Sequence, residues 1–436
     1  MRKIAFKKGI VFLGVFLLVV SQIFSIYSTS TAHAQISAAA KAVAKAKPAA
    51  VLVVTIVSAL ITYPSVQQIF IQLDLPYPTP VQTTVFGSGF IVNPEGYIIT
   101  NGHVVNSWNN DLARVGSLLK NFVNILSYAY EKTGLFVKSP LNETVSAYQN
   151  GTLLVKEYTV QVKVGTGAVV SGLDNVGKLF DAQIIATKPA ESWDLALIKV
   201  TKSNMPTVKI GDSSKLSVND VIYAIGYPGA VAPSAFLSQK TALDPVVTSG
   251  AVSAFRQTSD GTPAIQTDAT ITFGNSGGMV FNESGEVIGV TTFSTPSDIP
   301  GVLVPGFNFL RPSSLVSTLL SQNGVSNTRS ATDTAFAEAL ELYWAKHYKA
   351  SIQKFQEVLM LYPGHPDAQK YITDAQAAVA RGEDVPVWFD IMTISIIVSV
   401  VGAVVVVMVA LLLKMRKPTR KAAPVARHKK ARPSKR

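Results

Sequence analysis

Between Ala49 and Leu310 the chain runs as a series of short segments rich in Val, Ile, Thr and Phe, broken by Gly, Pro, Asn and Asp. β-branched and aromatic residues suit a pleated, half-buried surface, and the breakers supply turns. The pattern predicts strands over Ala49–Thr62, Tyr158–Val170, Phe180–Val200, Asp220–Gly226, Val246–Phe255, Val287–Phe293 and Val302–Leu310. It also predicts a hairpin over Phe86–Val105 around Asn93-Pro94-Glu95-Gly96, with His103 closing its second strand. Many short strands with Gly/Pro turns point to an antiparallel barrel or sandwich. Ala49–Thr62, at about 14 residues, is short for a membrane span and reads as a buried strand.

Two regions break the pattern. Between Asn106 and Lys156, apolar residues from Leu112 to Leu126 recur at helical spacing and predict an amphipathic helix over Asp111–Glu131. Its apolar stripe must pack against the barrel, a partner chain or a membrane surface. It would serve either as a lid over a cleft or as a side-docked structural helix. Beyond Thr332, Phe336–Leu361 and Pro366–Arg381 read as two helical stretches around Pro363-Gly364.

The ends carry addresses. Basic residues from Arg2 to Lys8, an apolar run Ile10–Val20 and Ala32-His33-Ala34 form a secretory signal over residues 1–34, either cleaved after Ala34 or kept as an anchor. Ser37–Pro48 is Ala/Lys-rich and reads as a linker or a short helix. Ile391–Leu413 is uncharged, apolar and long enough to span a bilayer, with Trp388 and Phe389 at its start. Its basic tail, Lys414–Arg436, would lie in the cytoplasm under the positive-inside rule.

Charge and composition exclude several classes of function. Eleven of the basic residues lie in the tail and four in the first eight positions, so the ends carry more than the whole formal +12 and leave about −3 for the rest. The body is near neutral, with no basic patch for nucleic acid. There is no cysteine and so no disulfide or thiol nucleophile, and five scattered histidines give no metal-ligand spacing. No cofactor is expected.

A serine flanked by glycines stands in Gln266-Thr267-Asp268-Ala269-Thr270-Ile271-Thr272-Phe273-Gly274-Asn275-Ser276-Gly277-Gly278. Glycine allows a sharp turn whose amides can donate to a developing oxyanion. A nucleophilic serine needs a base. Among the five histidines, His33 lies in the signal, His428 in the tail, and His347 and His365 in the helical region, which leaves His103. A carboxylate to orient that base could be Asp194, Asp174, Asp181, Asp212, Asp220, Asp244 or Asp268.

The blocks TNGHVV, DLALIKV, VTSGAVSAF and QTDATITFGNSGG, in that order, resemble those of the trypsin-like HtrA/DegP serine proteases. FGSGFIVNPEGYIITNGHVV and GEVIGVTTF extend the resemblance, which runs from about Pro48 to Leu320. It implies two antiparallel six-stranded barrels with a cleft between them. It makes Ser276 the nucleophile, His103 the base and later acid, and Asp194 the orienting carboxylate. Gly274 and Ser276 would donate the oxyanion-hole amides, with Asn275 between them. Ile271, Ser294 and Thr295 match positions lining the primary specificity pocket. Asp268 falls two residues early for a charged pocket base, which favours small or aliphatic residues over Lys or Arg.

The sequence departs from that pattern. Phe273 and Met279 replace prolines around GNSGG, and GFNFLRP puts Asn308 at a glycine position and Arg311 at an apolar one. The gap between His103 and Asp194 is about three times the family's, the excess lying in Asn106–Lys156. No PDZ domain follows. Instead Phe336–Pro363 resembles a tetratricopeptide repeat through Ala339, Tyr348, Phe355 and Pro363, a generic helical hairpin being the alternative.

The expected organisation is therefore a signal peptide (1–34), a linker (35–47), a protease domain (48–322, insert about 106–156), a TPR-like segment (331–382), a transmembrane helix (390–413) and a basic cytoplasmic tail (414–436). The expected protein is mainly β, a single-pass membrane-anchored extracytoplasmic serine endopeptidase acting on unfolded or exposed polypeptide. A protein partner on the TPR-like segment and a homo-oligomer are both open to it. The rival reading is a catalytically idle protease fold that binds peptides as a scaffold or sensor.

Overall fold

The computed structural model describes residues 36–105, 112–135, 139–167, 179–189, 192–227, 244–272, 274–296 and 303–387, with 396, 399–404, 406 and 407 near the C-terminus. The expected signal peptide and basic tail lie outside the described residues, as does most of the expected span at 390–413. Among the described residues no helix is long and apolar enough to cross a membrane.

Two closed six-stranded barrels carry the architecture. The first takes β1 (Ala50–Thr62), β2 (Thr79–Asn93), β3 (Tyr97–Thr100), β4 (Leu154–Gly165), β5 (Phe180–Lys188) and β6 (Leu195–Val200), ordered β1-β2-β3-β6-β5-β4. The second takes β7 (Val221–Gly226), β8 (Val246–Gln257), β9 (Pro263–Thr267), β10 (Met279–Phe281), β11 (Val287–Pro296) and β12 (Leu303–Pro312), ordered β10-β11-β12-β9-β8-β7. The strand pairs are antiparallel throughout. Closure removes the unpaired edges that would otherwise invite aggregation.

Several sequence expectations are corrected here. The strand ending in TNGHVV stops at Thr100, and His103 sits on a one-turn helix, α3 (Gly102–Val105), which follows α1 (Ala38–Ala46) and α2 (Gln67–Gln72) in the chain. Phe180–Val200 is two strands, broken before Leu195 where Asp194 adopts φ 50. The Asn93-Pro-Glu-Gly turn closes as expected, the Asn93 side chain accepting from Glu95 N at 2.8 Å.

β1, β2 and β4 run well beyond the closed barrel, pairing as far as Ile61↔Thr79 and Thr62↔Leu154. In this projecting half, burial along β1 alternates strictly, so only one face is covered. The insert supplies the cover through α4 (Leu112–Thr133) and α5 (Pro140–Gln149). Leu118, Leu119, Phe122 and Leu126 of α4 pack with Val57, Ala59 and Ile61 of β1, Val81 of β2 and Phe70 of α2. Phe70 and Phe122 meet edge to face at 5.9 Å. Of the two expected roles, lid or side-docked helix, this packing is that of a side-docked helix, its stripe spent on a second, separate core.

After α6 (Ser313–Gln322), the single helical stretch expected at Phe336–Leu361 divides into α7 (Ala331–Trp344) and α8 (Tyr348–Leu361), with Lys346 at φ 62 between them. α9 (Ala368–Ala380) completes the bundle around Phe336, Ala339, Leu340 and Phe355. The bundle is stapled to the barrels. Asp333, in the capping box of α7, accepts from Thr207 N at 2.8 Å and Thr207 Oγ1 at 2.5 Å. Asn327 donates to Val92 O at 2.7 Å and Val208 O at 2.8 Å. The expected linker is mostly the helix α1, whose Lys41 and Lys45 pair with Glu341 of α7 at 3.0 and 2.8 Å.

Candidate active site

Asp194 enters β6 from the left-handed region, where Asp and Asn are the non-glycine residues best tolerated. Its backbone is held by Asn101, whose side-chain amide donates to Asp194 O at 2.8 Å. Its carboxylate, 3% exposed, accepts from His103 N at 3.0 Å. The Nδ1 atom of His103 lies 3.0 Å from Oδ1 and 2.9 Å from Oδ2. An ionised carboxylate only accepts, so Nδ1 carries the proton and Nε2 is left as the basic nitrogen. The helical turn under His103 is anchored by Thr55, whose hydroxyl donates to Val104 O at 2.7 Å.

The second barrel brings the third expected residue to the same place. Asn275 N donates to Thr272 O at 3.1 Å, closing a β-turn with Gly274 at its third position and φ 92. Such a turn requires φ above zero there, which glycine adopts without penalty. Gly277 has φ 86, and a Cβ on it would stand 2.2 Å from Ser88 O, so the loop can seat against the first barrel only as glycine. Ser276 Oγ donates to Thr292 O at 3.3 Å. The hydroxyl of the same Thr292 donates to Asp194 Oδ2. Thr292 therefore touches both the carboxylate and the serine. Sequence reading missed it and saw only an ordinary residue of GEVIGVTTF. Its signal is its place on β11, the second strand after the serine loop.

The other expected positions are less concentrated. Asn275 is buried beside the serine, and its carbonyl accepts from Gly278 N at 2.8 Å. Ile271 is packed in the core of the second barrel with Ile222, Val252 and Ile265. Ser294 and Thr295 lie on β11, Ser294 opposite Asn308 of β12. Asn308 in turn donates to Ala269 O at 2.8 Å. Arg311, at its unusual position, is buried and reaches Pro263 O at 3.4 Å. Burial lowers its guanidinium from the usual range, opposed by the charges of Asp194 and Asp260. Phe273 lies outside the described residues. Among the described residues no group of His, Asp and Glu is placed to hold a metal ion.

Part of the chain is similar to known proteins. Residues 87–290 match the family model described as the trypsin-like peptidase domain. The DegP-like periplasmic serine endoprotease of Pseudomonas putida (strain W619) is 30% identical over 209 residues, covering 47% of this chain and 28% of that protein. The periplasmic serine endoprotease DegP of Salmonella typhimurium is 36% identical over 151 residues, covering 34% and 28% respectively. A solved structure of the HtrA-type protease AlgW with a tripeptide is similar at 23% identity and a TM-score of 0.39, covering 65% of this chain and 62% of that one. The matched stretch spans less than a third of the length of these curated relatives. The likeness to trypsin-like peptidases thus lies in residues 87–290.

Proposed function

We propose that the whole chain is an extracytoplasmic serine endopeptidase that cleaves exposed or unfolded polypeptide, with Ser276, His103 and Asp194 as its triad. The observation that carries the reading is the shared contact of Thr292, which joins the Asp194 carboxylate to Ser276 while Asp194 holds His103. In this reading Ser276 Oγ attacks the scissile carbonyl carbon and passes its proton to His103 Nε2. The carbonyl π pair moves onto oxygen, where the amides of Gly274 and Ser276 receive it. Collapse expels the amine, which takes the proton from His103. Water, activated by the same ring, then frees the acyl group. Asp194 stabilises the imidazolium and fixes its tautomer. Ile271, Ser294 and Thr295 remain the assigned pocket positions, and small or aliphatic side chains the assigned preference.

The DegP-like relatives are periplasmic, which supports placing the barrels outside the cytoplasm. The apolar stretch 390–413 would anchor the chain, with the basic tail inside. The three-helix bundle takes the place of a following peptide-binding domain, and its TPR-like pattern makes it the assigned partner surface.

One observation favours an idle scaffold: the Ser276 hydroxyl bonds to Thr292 O, and no bond joins it to His103 among the described residues. Catalytic hydrogen bonds in unliganded enzymes often tighten only when substrate binds. A fluorophosphonate probe decides between the two. The endopeptidase reading expects covalent labelling of Ser276 and casein cleavage, both absent from Ser276→Ala. A folded wild-type protein that does neither is a scaffold.

A further inference from the structure

The donors of the proposed oxyanion hole are held in place by a residue of the opposite barrel. Ser88 lies on β2 in Phe86-Gly87-Ser88-Gly89 and is fully buried. Its Oγ donates to Gly274 O at 2.7 Å, and its N donates to Ser276 O at 2.8 Å. The same Oγ accepts from Tyr227 N at 2.7 Å, and Ser88 O accepts from Thr100 Oγ1 at 2.6 Å. One residue thus grips the serine loop on both sides of Asn275.

The consequence follows from peptide planarity. In a trans peptide the C=O and the next N–H point opposite ways, so fixing one end fixes the other. The unit joining Gly274 to Asn275 is held at its carbonyl by Ser88 Oγ and at its N–H by Thr272 O. The unit joining Ser276 to Gly277 is held by Ser88 N and by Thr291 O, the latter at 2.9 Å. Between them, Asn275 O accepts from Gly278 N, which fixes the plane of the unit that carries the Ser276 N–H. Gly274 itself carries no Cβ to hold its φ at 92, and glycine populates both signs of φ readily. Its setting comes from outside, and Ser88 Oγ is the side-chain contact that supplies it.

We propose that Ser88 is a positioning residue for the oxyanion hole: by binding the carbonyls of Gly274 and Ser276 from the opposite barrel, it fixes the peptide units that follow these two residues and so holds the loop conformation, including the φ of Gly274, in which their amides face the substrate oxygen. This rests on the endopeptidase reading above. Ser88 touches no substrate, and its effect passes through the loop. Transition-state binding should therefore suffer while ground-state binding does not.

The test is Ser88→Ala, compared with wild type on a chromogenic peptide and with a peptidyl trifluoromethyl ketone, whose hemiketal oxyanion needs the same donors. Losing one oxyanion-hole donor outright costs about 10²–10³ in kcat, and loosening the loop should cost about 10–100-fold. The expected result is that loss in kcat, a KM within about twofold of wild type, and an equal loss in ketone affinity. Unchanged kcat and ketone affinity in folded Ser88→Ala overturn the inference, as does a loss confined to KM. If Ser88→Ala does not fold, Ser88→Cys, with its weaker S–H donor, is read the same way, and full kcat there overturns it. A wild-type protein that neither cleaves nor labels removes the endopeptidase reading and this inference with it. An active wild type beside an equally active Ser88→Ala removes this inference alone.

Discussion

Asp194 grips His103 at two points, its Oδ1 accepting from the backbone N at 3.0 Å while both carboxylate oxygens lie within 3.0 Å of Nδ1. The imidazole is therefore fixed in position and in ring orientation by one side chain. Asp194→Asn suits the φ of 50 at this site but puts an amide where a carboxylate stood, which favours the wrong tautomer. It should lower kcat by about 10⁴ with an unchanged unfolding midpoint. Steady-state kinetics beside a urea melt check this, and wild-type kcat would remove Asp194 from the triad.

Thr292→Val keeps the shape of the side chain and deletes the hydroxyl bond to Asp194. A hydrogen bond to a charged group is worth about 1.5–3 kcal/mol. The variant should therefore lose about 10–100-fold in kcat/KM while retaining its strand. If kcat/KM stays within twofold, the contact is incidental.

Phe122→Ala should destabilise the insert's core by about 3–5 kcal/mol, since the ring is fully buried against Phe70. A lid would instead give faster cleavage of small peptides at unchanged stability. Urea melts and peptide kinetics on the one variant separate these outcomes.

His365 gives a pH prediction. Burial pulls its imidazole down to about 3, and its Nδ1 accepts from Asp367 N and Ala368 N at the start of α9. Between about pH 6.5 and pH 3 the unfolded state binds a proton that the folded state refuses, so stability falls as pH falls through that window. From pH 7 to pH 5 the wild type should lose about 1–2 kcal/mol more than His365→Asn. Neighbouring Asp367 is raised by burial, which acts in the opposite direction, and both proteins keep it. Equal losses in the two would show that His365 titrates freely.

The strand series and the serine loop were legible because they rest on local signals: alternation, turn residues and glycines at constrained positions. His103 was found by elimination, yet its helical turn was hidden because Gly102-His103-Val104-Val105 continues a β-prone run. The three-residue β10 and the five-residue β9 fell below any periodicity that a sequence can display. Thr292 and Ser88 were invisible for a different reason. Each sends its hydroxyl across an inter-barrel contact, and a lone Thr or Ser in a strand carries no mark of that. The insert's stripe was read correctly as apolar, but its destination depended on how far β1, β2 and β4 project, and strand length beyond the barrel is set by that packing.

That projection also bears on descent. Without α4 and α5, Val57, Ala59, Ile61 and Val81 would form a bare apolar face on strands too long for their barrel. The segment after His103 and the length of β1, β2 and β4 are therefore physically interdependent, since the helices cover the face that the long strands expose. Relatives with a short connection after the histidine should also have short first, second and fourth strands, and a lineage shedding one change without the other would pass through an aggregation-prone intermediate.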